Sequence, residues 1–232
     1  MAGDKTDGSM KMAIADRRAY LRDIVNLLLA QWPNNRTVNI VCHGHSVPAG
    51  YFATPLVDTF NAYPALLHRD LKQRFPYAVV NVIVTAIGGE GSPKGADRFA
   101  ADVLCHRPDV VTIDYGLNDR RPGLAWAETA WRSMIEASLA QGAKVLLLTP
   151  TWDNSGVLDP AGAAWRELSC HAAQIRRLAA EYNVGLADSY AAFERHVAAG
   201  GEVTDLLSWS NHPNRRGHEL VAQELLRWFA IL

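Results

Sequence analysis

The sequence predicts an α/β fold, a three-layer sandwich in which a five-stranded parallel sheet carries helices on both faces. Short β-branched runs alternate along the chain with longer segments whose apolar residues recur at helical spacing. The strand segments are almost continuously apolar, as expected for strands that are covered on both faces. No repeat or low-complexity linker interrupts this pattern, so we expect one domain over residues 12–232.

Each element has a local signal. The predicted strands cover residues 37–42, 79–85, 110–114, 144–148 and 184–187. Helical spacing predicts helices over residues 15–32, 62–74, 95–105, 125–141, 163–182, 189–199 and 215–229. Pro33 ends the first helix and Gly142 ends the fourth, because proline lacks the N–H that a helix interior needs and glycine favours helix ends. Residues 149–162 form the longest predicted loop.

Composition excludes several classes of function. The chain has 232 residues, of which 49% are hydrophobic and 20% charged, as in ordinary soluble proteins. The net charge of -1 gives no electrostatic case for binding nucleic acid or an anionic membrane. No apolar run is long enough for a membrane span. Residues 1–11 are polar and lack the apolar core of a secretory signal, so we predict a disordered segment there.

The three cysteines suggest the compartment. Cys42, Cys105 and Cys170 are odd in number and widely spaced, which argues against a disulfide framework or a zinc ribbon. We expect them to be buried free thiols in a reducing environment. The sequence therefore predicts a cytoplasmic protein.

Four short motifs carry the residues best suited to chemistry. Each of the first three follows a predicted strand, and the fourth leads into the last predicted helix. In chain order they are Gly44-His45-Ser46, Ile87-Gly88-Gly89-Glu90, Gly116-Leu117-Asn118-Asp119 and Asn211-His212-Pro213-Asn214. Because ligands of open parallel sheets bind at the carboxyl ends of the strands, we expect these motifs to form one site.

Together the motifs supply the groups that an acyl-transfer hydrolase needs. A serine hydroxyl is a weak nucleophile and requires a base within hydrogen-bond reach. Ser46 is the candidate nucleophile, and His212 is the candidate base. Fixed amides stabilise the oxyanion of a tetrahedral intermediate. The Ser46 N–H, the Asn118 side chain and the N–H of Gly88 or Gly89 are the candidate donors.

The same motifs resemble the serine, glycine, asparagine and histidine blocks of the SGNH (GDSL-like) hydrolases, from about residue 38 to the C-terminus. The resemblance implies a flavodoxin-like SGNH hydrolase fold and esterase activity, and it selects Gly89 as the backbone oxyanion donor. Two positions depart from the family pattern. His45 stands where an aspartate usually precedes the serine, and Trp209 stands where the family usually places its triad acid.

The partner of His212 is therefore open at this stage. Asp205 and Glu202 lie upstream and could reach its second ring nitrogen as a triad acid. Alternatively, serine and histidine form a dyad in which the carbonyl of Ser208 or Trp209 accepts the Nδ1–H and fixes the tautomer. We favour the dyad.

The predicted function is a serine esterase that hydrolyses short-chain, acetyl-type carboxylic esters on small molecules or carbohydrates, without a cofactor. The loop 149–162 with Trp152 and Asp153 and the segment that begins at Tyr51 are expected to line the pocket. Their aromatic rings could stack on a sugar. The sequence contains no apolar lid segment of the kind that would indicate a long-chain lipase.

Other functions remain open. A lysophospholipase or thioesterase would use the same fold. The glycine-rich loop 89–95 is a weak nucleotide-binding signal. A metal-dependent protein would use His43 and His45, joined by His212 and Asp114. A non-catalytic binding module is the last alternative, and the sequence does not indicate an oligomeric state.

Overall fold

The computed structural model describes residues 12–231. Its strands are β1 (Thr37–Gly44), β2 (Val79–Val84), β3 (Val110–Asp114), β4 (Lys144–Leu148) and β5 (Gly185–Ala187). They form one parallel sheet in the order β2-β1-β3-β4-β5. This is the strand order of flavodoxin-like doubly wound folds, and it confirms the predicted fold class. The predicted disordered segment, residues 1–11, lies outside the described residues.

Helices connect the strands. The α-helices are α1 (Arg22–Leu29), α2 (Ser46–Ala49), α3 (Tyr63–Arg74), α4 (Ser92–Asp97), α5 (Phe99–Asp102), α6 (Leu124–Ala140), α7 (Ser155–Leu158), α8 (Ala163–Glu181), α9 (Ser189–Ala198) and α10 (Arg215–Leu226). Shorter 3₁₀ turns cover Thr59–Asn61, Leu104–His106, Val203–Leu206 and Arg227–Phe229.

Two predicted helices differ from the observed ones. The helix predicted over residues 15–32 begins only at Arg22, because the preceding residues form turns around Asp16, whose carboxylate and carbonyl accept backbone N–H groups. The helix predicted over residues 95–105 is divided into α4, α5 and a 3₁₀ turn. The first break falls at Arg98, which leaves helical geometry with ψ of 1° while its guanidinium binds Glu90.

The sheet separates two apolar cores. Val38, Ile40 and Cys42 of β1 point into a core shared with α1, α3 and α10. Val41 of the same strand points into the opposite core, which α6 and α8 cover. Successive side chains of a strand face opposite sides, so this alternation places one helical layer on each face.

The cysteines are free, but their burial differs from the prediction. Cys42 is buried within β1, whereas Cys105 and Cys170 are exposed. Both exposed thiols lie on helical segments that cover the sheet, on their solvent side. Across residues 12–231, no helix combines the length and the apolar character needed to cross a bilayer.

The topology fixes where a site can form. The chain leaves β1 toward β2 on one side and then crosses to β3 on the other, so the carboxyl ends of β1 and β3 flank the switch point of the sheet. Gly44 ends β1 there, and a Cβ at this position would lie 2.4 Å from the Asp114 carbonyl oxygen. Glycine therefore permits the close approach of the two strand ends.

Candidate active site

Ser46 and His212 meet at this switch point. Ser46 is the first residue of α2, directly after β1, and His212 lies in the loop before α10. The distance from Ser46 Oγ to His212 Nε2 is 3.0 Å, and both residues are buried. Burial is the main cause that lowers the pKa of His212 below its ordinary value. The imidazole is therefore neutral at neutral pH and able to accept a proton.

The second nitrogen of His212 binds a main-chain group. Its Nδ1–H donates to the Phe52 carbonyl oxygen at 2.7 Å, which leaves Nε2 as the acceptor that faces the Ser46 hydroxyl. Phe52 belongs to a loop that begins at Gly50, whose φ is 90°. A bridge between Tyr51 and Val57 closes this loop.

This contact corrects the predicted partners of His212. The Asp205 carboxylate instead binds His196 Nε2 at 3.2 Å and the Glu202 N–H at 3.0 Å. Trp209 is 61% exposed, and the Ser208 N–H donates to the carbonyl of His212 itself. The 208–212 turn thus closes on its own backbone, and the ring faces the Phe52 loop instead. Sequence reasoning had no signal for Phe52, because it acts through a carbonyl that every residue possesses.

His218 packs against the loop that carries Phe52. Its ring stacks on Phe52 with centroids 5.1 Å apart, and its Nδ1 accepts the Tyr63 N–H at 3.2 Å. Burial lowers the pKa of His218 to about 3, so the ring is neutral. His218 therefore holds Phe52 in place.

The predicted oxyanion donors Gly89 and Asn118 lie in the loops after β2 and β3. Gly89 is exposed with φ of 76°, and within residues 12–231 its N–H has no backbone acceptor. The Asn118 amide donates one hydrogen to the Glu90 carbonyl at 2.9 Å and keeps a second hydrogen. A Cβ on Gly88 would lie 2.9 Å from the Tyr51 ring, so this glycine packs beneath the aromatic ring.

Two buried carboxylates anchor these donor loops. Glu90 accepts from Arg98 at 2.7 Å and from the Tyr115 hydroxyl at 2.8 Å. Asp119 accepts from the Ser92 N–H and from Trp131 Nε1, each at 2.7 Å. Sequence reasoning missed both roles, although each carboxylate directly follows a predicted donor in its motif. Glu90 also lies within the glycine-rich loop, where its carboxylate would repel a nucleotide phosphate.

The arrangement does not favour the metal alternative. His43 Nδ1 lies 2.8 Å from the Thr85 hydroxyl, and its Nε2 lies 3.2 Å from the Gly95 carbonyl. Burial is the main cause that lowers the pKa of His43 to about 4. His45 turns toward Asp114 and Ser46 instead. Within residues 12–231, no group of three or more His, Cys, Asp or Glu side chains is arranged to hold a metal ion.

The predicted pocket residues divide between two places. The Tyr51 ring lies beside His212, with centroids 6.0 Å apart. Trp152 and Asp153 line a separate cavity of about 420 Å³, whose lining includes neither Ser46 nor His212. Asp153 is held there by Arg120 at 2.7 Å.

The chain is similar in sequence to known esterases. The chain is 34% identical over 125 residues to Esterase TesA of Pseudomonas aeruginosa, a match that covers 53% of this chain and 58% of that relative. It is 25% identical over 170 residues to an acetylxylan esterase of Geobacillus stearothermophilus, covering 68% of this chain and 75% of the relative. The first match thus spans less than two thirds of the relative's length.

Solved structures show the same fold. The Geobacillus stearothermophilus acetylxylan esterase Axe2 superposes with a TM-score of 0.72 at 21% identity, over 88% of this chain and 97% of that one. A two-domain esterase active on acetylated mannans gives 0.71 at 22% identity, over 90% and 52%. Residues 42–220, most of the chain, match the GDSL-like lipase/acylhydrolase family. The predicted resemblance is confirmed: the chain belongs to the GDSL-like lipase/acylhydrolase family of ester hydrolases.

Proposed function

We propose that the protein is a serine esterase that hydrolyses short-chain, acetyl-type esters on small molecules or carbohydrates. One observation carries the proposal: Ser46 Oγ lies 3.0 Å from His212 Nε2, while Nδ1 of the same ring is held by the Phe52 carbonyl. This is the geometry of a nucleophile, a general base and an orienting group.

The reaction follows from that geometry. Ser46 Oγ attacks the ester carbonyl carbon while its proton passes to His212 Nε2. The bond to the alcohol oxygen then breaks, and the alcohol leaves with the proton from Nε2. This gives an acyl-enzyme on Ser46. Water next attacks the acyl carbon and gives a proton to Nε2, which returns it to Ser46 Oγ as the carboxylic acid leaves.

The negative charge of each tetrahedral intermediate falls on the former carbonyl oxygen. In this proposal the Ser46 N–H, the Gly89 N–H and the free hydrogen of the Asn118 amide act as its donors. A donor of this kind stabilises the transition state by roughly 3 kcal/mol. The Ser46 N–H is free for this role because the first N–H groups of a helix have no partner within the helix.

The Phe52 carbonyl sets a limit on catalysis. A neutral carbonyl fixes the tautomer of His212, but it stabilises the imidazolium less than a carboxylate does. We therefore expect slower turnover than in an enzyme with a complete triad. Neither Asp205 nor Trp209 has a part in the proposed mechanism.

The substrate class is supported by the relatives. One relative is named an acetylxylan esterase, and one structural neighbour is active on acetylated mannans. Tyr51 offers an aromatic ring beside His212, where a sugar or a small alcohol would lie. The cytoplasmic location and the absence of a cofactor stay predictions.

The test is hydrolysis of p-nitrophenyl acetate, butyrate and octanoate and of acetylated xylo-oligosaccharides, with and without EDTA. We expect activity that falls with chain length, resists EDTA and is lost in Ser46→Ala. Ser210→Ala is the matched control, because Ser210 is an exposed serine in the His212 loop. Activity that survives Ser46→Ala would contradict the proposal, and a preference for octanoate would favour a lysophospholipase or thioesterase.

A further inference from the structure

His45 is a second histidine at the nucleophile. It directly precedes Ser46 and is 1% exposed. Its Nδ1 accepts the Val47 N–H at 3.2 Å, which caps α2, and lies 3.4 Å from Ser46 Oγ. A ring nitrogen that accepts a hydrogen bond carries no proton. The neutral ring of His45 is therefore protonated at Nε2.

The Nε2–H of His45 faces a buried carboxylate. Asp114 Oδ1 lies 3.4 Å from this nitrogen, and Asp114 is 4% exposed at the end of β3. Within residues 12–231, no other basic side chain lies within ion-pair distance of Asp114. Buried charges are retained in proteins where a partner faces them. Asp114 therefore lies within ion-pair distance of the His45 ring, although Nε2 of His45 has no hydrogen-bond partner among the described residues.

Other titratable groups also face His45. The Tyr115 ring lies with its centroid 6.4 Å from that of His45. His212 lies across Ser46 from His45, and Asp119 belongs to the loop after β3. Asp114 is the group within ion-pair distance of the ring nitrogen.

Ser46 Oγ thus has two imidazole rings near it, and a different kind of group lies behind each ring. His212 approaches it at 3.0 Å and is backed by a carbonyl, whereas His45 approaches at 3.4 Å and is backed by a carboxylate. His212 has no carboxylate partner, whereas His45, the other histidine beside Ser46, has Asp114 nearby.

We propose that His45, with the Asp114 carboxylate within ion-pair distance of its Nε2, is a positioning residue that caps the Ser46 turn and offers the resting hydroxyl a second acceptor. The inference rests on the proposed role of Ser46 as nucleophile. His212 still takes the proton, since it is nearer and its Nδ1–H is already oriented. A proton on His45 Nδ1 would point at the Val47 N–H and remove both contacts.

Three substitutions test this with p-nitrophenyl acetate across pH. Asparagine also accepts at helix N-termini, so His45→Asn keeps the cap but cannot titrate. We expect His45→Asn to lower kcat about tenfold with little change in KM at every pH tested, because the turn stays capped while the second acceptor beside Ser46 Oγ is lost. An unchanged kcat in His45→Asn would overturn the proposal.

A carboxylate at this position provides the sharper test. His45→Asp would place a second carboxylate against Asp114, so we expect a loss of about 100-fold, with Asp114→Asn restoring about tenfold in the double variant. His45→Asp as active as His45→Asn, or no restoration, would contradict the pairing. Circular dichroism checks that each variant folds.

A spectroscopic measurement is independent of esterase activity. In ¹⁵N-labelled Ser46→Ala protein, the ring nitrogens of His45 are assigned by their loss in the His45→Asn background. We expect the Nε2–H tautomer at neutral pH. An Nδ1–H tautomer or a doubly protonated ring would overturn the inference. If the wild type hydrolyses no ester, the proposed function fails while this result still decides the state of His45.

Discussion

The two sides of the site are held in different ways. On the oxyanion side, Glu90 and Asp119 are buried carboxylates that bind side chains and backbone of neighbouring elements. On the base side, His212 depends on one main-chain carbonyl, that of Phe52. The loop bearing this carbonyl exposes apolar residues such as Leu56, which is 57% exposed.

This difference indicates which half of the site is held more firmly in one conformation. Charge-assisted hydrogen bonds in a buried network fix the donors before substrate binds, which is the condition for strong oxyanion stabilisation. A loop closed by a few backbone contacts opens at lower free energy than such a network. The base side is therefore expected to respond most to changes in backbone conformation.

Removal of the base itself gives the largest expected effect. His212→Ala should lower kcat by about 10⁴-fold, because His212 Nε2 lies 3.0 Å from Ser46 Oγ, whereas His45 Nδ1 is 3.4 Å away and already accepts the Val47 N–H. The matched control is Asp205→Ala, which removes a carboxylate that binds His196 instead. Steady-state kinetics of both variants decide the point. A comparable loss in Asp205→Ala would restore the triad hypothesis.

Loss of an oxyanion donor comes next. Asn118→Ala should lower kcat by about 10²- to 10³-fold with little change in KM, because the amide acts on charge that develops only in the transition state. The neighbouring Arg121→Ala serves as control, since Arg121 lies on the exposed side of the same loop. Full activity in Asn118→Ala would remove this residue from the oxyanion hole.

The hydrogen-bond network around Glu90 is expected to contribute to the stability of the fold. Glu90→Gln removes the buried carboxylate that binds Arg98 and Tyr115 and leaves Arg98 with the more exposed Asp102, so the free energy of unfolding should fall by roughly 2–3 kcal/mol. Glu219→Gln breaks an exposed pair with Arg215 and should cost less than about 0.5 kcal/mol. Urea titration measures both. Equal midpoints would show that the Glu90 network contributes little.

The Phe52 loop can be perturbed through its glycine. Gly50→Ala forces a Cβ into a residue with φ of 90° and tight contacts, so stability should fall by about 1–2 kcal/mol and kcat by about tenfold. Gly200 has φ of 93° with nothing within 4 Å of a Cβ, so Gly200→Ala carries the backbone cost alone. Equal kcat in the two variants would show that the loop does not position His212.

The smallest expected effect is a shift in the pH dependence of kcat/KM. Burial lowers the pKa of His212, and the base must be neutral, so activity is lost only as pH falls through this lowered value. The acid limb of kcat/KM should therefore have its midpoint below about 6.5, the ordinary histidine value. Stopped assays from pH 4 to 8 measure it. A midpoint above 6.5 would indicate a carboxylate partner.

Most of the fold could be predicted from the sequence. Alternating apolar strands and amphipathic helices indicate a doubly wound sheet, and the motifs after the first three strands share one edge of that sheet. The errors fall where tertiary contacts override local pattern. Arg98 interrupts a predicted helix because its guanidinium binds Glu90, and Cys105 is exposed because its turn lies on the outer surface.

The sequence alone determined the α/β class, because that class follows from the periodicity of the apolar residues. The motifs at the strand ends determined the family and the meeting of Ser46 with His212. Only the tertiary structure decided what orients His212. The carbonyl of Phe52 lies 160 positions away in the chain. Main-chain groups are the same in every residue, so their use in a site leaves no trace in the sequence and depends on how the loops pack.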